Sequence, residues 1–270
     1  MTTNSSHILT TIDQRGVAQL TLNRPKVHNA FDEHVIGDLI NALTELNNNQ
    51  QVRVLILNSN GKNFSAGADL NWMRSMANKN LEENLADAGQ LAELMRKLDT
   101  FSKPTIAQVQ GAAFGGALGL IACCDITVAT QKASFCLSEV KIGLIPAAIS
   151  PYVIRAIGEK ASRRLFLTAE RFFAPVAHQL GLIDILVDDN HALPAAIETQ
   201  VAMLLNNSPA AMTAAKDLIK AVAEKPITKE VIDDTSRRIA QIRVSEEGQE
   251  GLTAFLEKRQ PGWINSSSQA

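Results

Sequence analysis

The sequence contains few cysteines, almost no excess of charge of either sign, and no long apolar run. Its three cysteines, Cys123, Cys124 and Cys136, lack a Cys-x-x-Cys spacing and are too few for a disulfide framework. We therefore expect buried thiols in a protein of the reducing cytoplasm. The net charge of −2 gives no electrostatic basis for binding nucleic acid or an anionic membrane surface. No apolar stretch approaches the roughly 20 residues that cross a bilayer, and the polar segment Met1 to His7 does not predict a secretory signal.

The composition is that of a soluble globular protein, with 46% hydrophobic and 20% charged residues. A chain of 270 residues can bury one large core, or a main domain with a smaller appendage. Strand patterns alternate with amphipathic helix patterns, which predicts an α/β core. The predicted strands are Ile8–Asp13, Val17–Asn23, Val52–Leu57, Thr105–Gln110 and Ile126–Ala129, and the predicted helices cover Val35–Leu46, Leu81–Leu98 and Ala117–Cys124.

The pattern changes after about Leu186, where strand signals stop. Four helical segments follow, at Leu193–Leu205, Pro209–Val222, Lys229–Ile242 and Glu246–Lys258. We therefore divide the chain into a core, residues 1–190, and a helical region, residues 191–264, which we expect to pack subunits together. The polar tail, residues 265–270, is predicted to be disordered.

Two segments bring small residues to points where a strand gives way to a loop or a helix: Phe64–Leu70 (Phe-Ser-Ala-Gly-Ala-Asp-Leu) and Gly111–Gly116. Small side chains let a ligand approach the backbone, and the free amides at a helix start favour an anion. For either segment by itself, tight turns and close packing are the favoured explanation. A nucleotide-binding loop is excluded because neither Gly-x-Gly-x-x-Gly nor Gly-Lys-Ser/Thr occurs. The five histidines are scattered without metal-ligand spacing, so no metal site is predicted.

Four motifs in register, between Ile8 and Trp263, resemble a known family. They are Leu22–Ala30 (Leu-Asn-Arg-Pro-Lys-Val-His-Asn-Ala), Phe64–Leu70, Gly111–Asp125 and Ser134–Pro146. Together they resemble the crotonase (enoyl-CoA hydratase/isomerase) family. The stretches Ala68–Met73 and Ala122–Asp125 are most similar to methylglutaconyl-CoA and carboxygeranoyl-CoA hydratases. The resemblance implies a spiral core of repeated ββα units, a C-terminal helical region, and a homotrimer or a dimer of trimers.

The resemblance also implies roles for individual residues. The amides of Ala68 and Gly116 would form an oxyanion hole for the thioester oxygen of an acyl-CoA substrate. The residues implied to line the CoA and acyl site are Lys26, Val27, His28, Ala66, Gly67, Asp69 and Leu70, joined by Phe255 and Lys258, in the family often from a neighbouring subunit. Trp72 is predicted to wall the acyl pocket or, equally well, to pack in the core. Coenzyme A enters as part of the substrate, and no separate cofactor is implied.

Glu139 aligns with a catalytic glutamate of the family and lies in a mostly apolar stretch between Phe135 and Pro146. Partial desolvation there should raise its pKa toward a value useful for acid–base chemistry. Many hydratases of the family use a second glutamate, but its position holds Gly119, and no acid lies within Gly111–Cys124. One carboxylate suffices to move a double bond from the 3- to the 2-position. The sequence thus favours hydration of an α,β-unsaturated acyl-CoA through an enolate, and leaves open an isomerase or a non-catalytic acyl-CoA-binding homologue.

Overall fold

The computed structural model describes residues 7–264 of the chain. The strands are β1 (Ile8–Ile12), β2 (Val17–Leu22), β3 (Val54–Ser59), β4 (Thr105–Val109), β5 (Ala112–Phe114), β6 (Ile126–Thr130), β7 (Ser134–Cys136), β8 (Phe172–Phe173) and β9 (Ile185–Val187). The helices are α1 (Glu33–Asn48), α2 (Leu70–Met76), α3 (Leu81–Asp99), α4 (Gly116–Cys123), α5 (Ser150–Thr168), α6 (Ala174–Gln179), α7 (Leu193–Leu205), α8 (Pro209–Val222), α9 (Lys229–Arg243) and α10 (Glu246–Glu257). Two short 3-10 helices cover Pro25–Val27 and Glu139–Ile142. The predictions for residues 1–6 and 265–270 lie outside the described residues.

The main sheet has the strand order β1-β2-β3-β4-β6-β9. Only β1 and β2 pair antiparallel, whereas the other neighbours run parallel. Parallel neighbours need crossover connections, and the chain supplies them as ββα units such as β1β2α1, β4β5α4 and β6β7α5. The predicted α/β core with a C-terminal helical region is confirmed.

The central strands are buried on both faces, and their alternate residues pack into two separate hydrophobic clusters, one on each face of the sheet. In β3, Leu55 and Leu57 face the main core, to which α1, α3, α4 and α5 also contribute. Val54 and Ile56 point the other way and pack with residues of α7. This alternation follows from the two-residue period of a strand. The helix α7 therefore belongs to the packing of the sheet, although it lies beyond the point where the sequence pattern changes.

A second, small sheet joins β5, β7 and β8. Strands β5 and β7 pair in parallel, which sets Phe114 opposite Cys136. The sequence analysis did not predict these strands, which have only two or three residues each. The consequence for function is large, because this pairing brings the start of α4 next to the segment that follows β7.

The C-terminal helices match the predicted segments closely. Helices α7 and α8 have the predicted bounds, whereas α9 extends one residue further, to Arg243, and α10 ends at Glu257. The guanidinium of Arg53 joins this region to the sheet by donating to the carbonyl oxygens of Leu205 at 2.9 Å and Trp263 at 3.1 Å.

Other sequence predictions needed small corrections. The third strand begins at Val54, two residues later than predicted, because Val52 closes the turn after α1 by donating to Asn49 O at 3.2 Å. The cysteines are unpaired; Cys123 and Cys136 are buried as expected, whereas Cys124 is half-buried. Among residues 7–264, none of the helices is both apolar enough and long enough to cross a membrane.

Candidate active site

The loop that follows β3 runs between two other backbone segments. On one side, Phe31 N donates to Gly67 O at 2.7 Å, and Asp69 N donates to Phe31 O at 2.7 Å. On the other side, Phe114 N donates to Ser65 O at 3.0 Å. These bonds fix the loop between the start of α1 and the strand β5.

This pairing leaves the amide of Ala68 free. The Gly67 carbonyl and the Ala68 N–H belong to one trans peptide, so they point in opposite directions. Because the carbonyl accepts from Phe31, the Ala68 N–H points away from that residue. It donates no hydrogen bond to any residue between 7 and 264, and Ala68 is exposed. The amide is therefore available to a ligand.

The start of α4 offers a second free amide. Gly116 is the first residue of the helix, so its N–H has no acceptor within it, and none is found elsewhere in the described chain. Gly115 precedes it at φ 53° and ψ −124°, a conformation that favours glycine. The Gly115 carbonyl accepts from Leu118 N at 3.0 Å, which turns the Gly116 N–H the other way.

The two free amides belong to segments in van der Waals contact. A Cβ added at Gly67, which has φ 89°, would lie 2.9 Å from Phe114 O and 3.9 Å from Gly115 Cα. Ala68 and Gly116 follow directly after the contacting glycines. The structure therefore places the loop that carries Ala68 against the turn that precedes Gly116, and the missing side chain of Gly67 allows the approach.

Glu139 lies beside the same helix start, at the beginning of its 3-10 helix. Its Oε1 is 3.3 Å from the position that a Cβ on Gly115 would take. Its Oε2 is buried and has no hydrogen-bond partner among the described residues. Burial raises the pKa of the Glu139 carboxyl, as predicted, while a hydrogen bond from its own backbone amide acts in the opposite direction. A carboxyl with a raised pKa suits proton transfer near neutral pH.

Apolar side chains close the position where the second glutamate would stand. A Cβ added at Gly119 would lie 2.3 Å from Ile149 Cγ2 and 2.8 Å from Met95 Sδ. Ile149 is 2% exposed, and Met95 is completely buried. A side chain at Gly119 would overlap these groups, so the space that a glutamate would need at this position is already filled. The packing therefore fits the glycine that the sequence has there.

Comparison with known proteins identifies the family of this chain. A sequence profile described as enoyl-CoA hydratase/isomerase matches residues 13–266. The chain belongs to this family. The 2,3-dehydroadipyl-CoA hydratase of Escherichia coli is 32% identical over 249 residues, which cover 92% of this chain and 95% of the relative.

Solved structures of the enoyl-CoA hydratase/isomerase family confirm the predicted crotonase-like fold. A crystal structure of an enoyl-CoA hydratase from Shewanella pealeana has a TM-score of 0.92 and 56% identity, covering 95% of this chain and 96% of that one. Pseudomonas aeruginosa AtuE has a TM-score of 0.91 and 33% identity, covering 96% of this chain and all of that one.

The first family motif lies next to the loop of residues 65–69, which we call the oxyanion loop because of the role predicted for Ala68. Lys26 and Val27 belong to the first 3-10 helix and are exposed, and His28 follows in the left-handed region at φ 53°. Ala66 N donates to His28 O at 2.9 Å, so the two predicted CoA-lining segments are neighbours. Asp69 caps the helix α2 by accepting from Asn71 N at 2.8 Å. Their contact with CoA stays a prediction.

Other predicted residues lie in different surroundings. Trp72 is 7% exposed and packs in the main core, which favours the core alternative for most of its ring. Its Nε1 is nevertheless buried without a partner among the described residues. Leu70, at 69% exposed, lies on the surface at the start of α2.

Phe255 and Lys258 lie on and just after α10, which packs mainly against α8 and α9. Both residues are exposed, Phe255 at 81%. Within one chain, the structure therefore does not bring them to the elements that carry Glu139 and the two free amides. Their role across a subunit boundary stays a prediction.

Three residues that the sequence analysis gave no role are placed near the site. Ile149 fills the space beside Gly119, and Arg24 and Asn29 hold the segment before α1. Arg24 and Asn29 stand inside the first motif, which was a usable signal. Ile149 gave none, because its proximity to Gly119 arises only from the packing of α5 on α4.

Proposed function

We propose that this protein adds water to an α,β-unsaturated acyl-CoA thioester. The observation that carries the proposal is the position of Glu139, whose carboxyl lies beside the start of α4. The Gly116 amide is unpaired there, and the unpaired Ala68 amide belongs to a loop that contacts the same turn. Membership in the enoyl-CoA hydratase/isomerase family supports the same chemistry.

In the proposed reaction, the thioester oxygen accepts hydrogen bonds from the Ala68 and Gly116 amides. The oxygen of water forms a bond to Cβ, and the electron pair of the double bond moves toward the thioester oxygen to give an enolate. Glu139 takes the proton that the water loses and delivers a proton to Cα, so the enzyme ends in its starting protonation state. Each amide aimed at the developing charge contributes about 3–4 kcal/mol in known oxyanion holes.

The finer proposal concerns the substrate and the assembly. We expect a branched or carboxylated enoyl chain, such as methylglutaconyl-CoA, because of the similarity at Ala68–Met73. The relative named for 2,3-dehydroadipyl-CoA, a thioester of a dicarboxylic acid, supports a carboxylated chain. We also expect a cytoplasmic homotrimer or dimer of trimers, in which Phe255 and Lys258 of one subunit contact CoA bound to its neighbour. A lysine suits this role as a point charge against phosphate.

Substitution of the carboxylate tests the proposal. Glu139→Gln should lower kcat for hydration by about 10²- to 10⁴-fold, the usual contribution of a positioned acid–base group. CoA binding, measured by calorimetry, should change little because CoA lies outside the reacting centre. The matched control is Glu159→Gln, which alters an exposed carboxylate on α5 that pairs with Arg163 at 3.6 Å. Unchanged turnover in Glu139→Gln would remove this carboxylate from the mechanism.

A second candidate function is the migration of a double bond from the 3- to the 2-position. The filled volume at Gly119 favours it, because isomerisation needs only one carboxylate to remove and return a proton. Incubating 2-enoyl- and 3-enoyl-CoA thioesters in isotopic water distinguishes the two reactions, since only hydration incorporates solvent oxygen. Saturable CoA binding without turnover over a broad thioester panel would instead support a non-catalytic acyl-CoA-binding protein.

A further inference from the structure

Arg24 makes a three-way contact immediately behind the oxyanion loop. Its Nη1 lies 2.8 Å from Asp32 Oδ2 and donates to Ala30 O at 2.8 Å, while its Nη2 lies 3.3 Å from Asp69 Oδ2. The side chains of Arg24, Asp32 and Asp69 are 20%, 17% and 13% exposed. The guanidinium is therefore largely shielded from water and bound on two edges.

Each group that Arg24 holds stands next to a backbone bond of the oxyanion loop. Ala30 and Asp32 flank Phe31, whose N–H fixes the Gly67 carbonyl and whose carbonyl fixes the Asp69 N–H. Asp69 follows Ala68 directly. Arg24 thus contacts both neighbours of the residue that orients the Gly67–Ala68 peptide, and also the residue after the free amide.

The chemistry of the side chain suits this arrangement. Arginine presents several donors in a rigid planar fork, so one residue can hold two carboxylates and a carbonyl at fixed angles. A lysine offers a single compact charge and would lose part of this geometry. Both carboxylates also cap helices, Asp32 at Val35 N and Asp69 at Asn71 N, at 2.9 and 2.8 Å. The contact therefore links two helix starts through one cation.

From these contacts we infer that Arg24 is a positioning residue, which fixes the direction of the Ala68 amide without touching the substrate. The inference rests on the proposed role of that amide in the oxyanion hole. If it holds, loss of Arg24 lowers transition-state stabilisation more than it weakens substrate binding. If Arg24 only stabilised the fold, its loss would lower thermal stability without lowering kcat more than it weakens substrate binding.

The experiment compares Arg24→Met and Arg24→Lys with the wild-type protein. Small displacements of positioned groups cost up to about 10²-fold in rate, so kcat of Arg24→Met should fall by about tenfold to a hundredfold. The KM should change much less, and Arg24→Lys should recover only part of kcat. The second readout is acetoacetyl-CoA, a 3-oxoacyl thioester whose enolate absorbs in the near ultraviolet. The oxyanion hole should raise the bound enolate fraction in the wild type, and Arg24→Met should reduce it.

A control and a second variant keep the test decisive. Arg15→Met removes another arginine bridge between two carboxylates, Asp13 at 2.9 Å and Glu198 at 2.5 Å, at the turn between β1 and β2. It should leave both readouts unchanged because neither partner flanks Phe31 or Ala68. Asp69→Asn keeps the helix cap but loses the ion pair, so it should shift kcat and the enolate fraction in the same direction as Arg24→Met even if that variant folds poorly.

Two results would overturn the inference, and they differ. If the wild type raises the enolate fraction and folded Arg24→Met raises it equally with unchanged kcat, Arg24 is only structural. If the wild type itself neither turns over enoyl-CoA nor favours the bound enolate, the proposed function fails, and this inference fails with it.

Discussion

The side chain of Ile149 occupies the space that any side chain at position 119 would need. A single added Cβ on Gly119 would lie 2.3 Å from Ile149 Cγ2 and 2.8 Å from its Cβ. Gly119 lies within α4, where glycine costs roughly 1 kcal/mol relative to alanine. Close packing of α5 on α4 gives the physical reason for keeping glycine at a position that a helix otherwise disfavours.

We expect Gly119→Ala to destabilise the protein in spite of the better helix propensity. Overpacking of a filled core typically costs about 1–3 kcal/mol, and both Ile149 and Met95 are buried and cannot move into solvent. Urea unfolding should therefore show a lower free energy of unfolding. The double variant Gly119→Ala/Ile149→Ala should lose less free energy of unfolding than the sum of the two single variants. The reason is that Ile149→Ala removes Cγ2, the atom closest to the added Cβ.

Gly37→Ala is the control for this prediction. Gly37 is also helical, within α1, but a Cβ there would lie more than 4 Å from every described atom outside its own helical turns. Its substitution should be neutral or stabilising by up to about 1 kcal/mol. Equal effects of Gly37→Ala and Gly119→Ala would contradict the packing argument.

The free amide of Gly116 can be removed with little disturbance of the helix. Gly116 is the first residue of α4, where proline is well tolerated because no intrahelical hydrogen bond is lost. We expect Gly116→Pro to lower kcat by about 10²- to 10³-fold, the usual cost of one oxyanion donor. Steady-state kinetics on thioester substrates, with circular dichroism to verify the fold, measure this.

Gly116→Ala is the matched control, since it keeps the N–H. Its Cβ would lie 3.6 Å from the ring of Phe31, an ordinary van der Waals distance. It should retain most of the activity. If the alanine and proline variants were equally impaired, the loss would come from bulk at this position and not from the missing donor.

The sequence predicted those parts of the fold whose signals are local. Helices α7 and α8 have enough turns to show a hydrophobic period, and α8 also begins with Ser208 as a cap before Pro209. Strands β5, β7 and β8 have only two or three residues, too few for an alternating pattern to appear. They were missed, although they bring Glu139 to the start of α4.

The residues of the candidate site also fall into two groups, those with a local sequence signal and those without one. Glu139 and the two small-residue loops were found because motifs of adjacent residues mark them. The contacts of Arg24 with Asp69, and of Ile149 with Gly119, join residues 45 and 30 positions apart in the chain. Such pairs depend on how the helices and loops pack in three dimensions, and no spacing rule within one sequence specifies them.

Activity should fall on the acid side at a pH set by Glu139. Burial raises the pKa of this carboxyl above the ordinary glutamate value of about 4.3. The ionised form accepts the proton, so kcat/KM should decrease as the pH falls through the raised pKa. The residual kcat/KM of Glu139→Gln should not show this decrease at acidic pH. A midpoint at or below the ordinary value would contradict the burial of the carboxylate in the working enzyme.

The same burial should affect the free energy of unfolding, with a sign opposite to that of an ion-paired carboxylate. The folded-state pKa of Glu139 lies above its unfolded value, so between the two the folded state binds more protons and stability falls as the pH rises. Above that window, the ionised carboxylate destabilises the fold.

Glu139→Gln should therefore be more stable than the wild type at neutral pH, and this difference should shrink on acidification below the ordinary glutamate pKa. Urea unfolding of both proteins at neutral pH and at a pH below the ordinary glutamate pKa measures this difference. A Glu139→Gln protein less stable than the wild type at neutral pH would mean that the ionised carboxylate has favourable partners, and the raised pKa would be wrong.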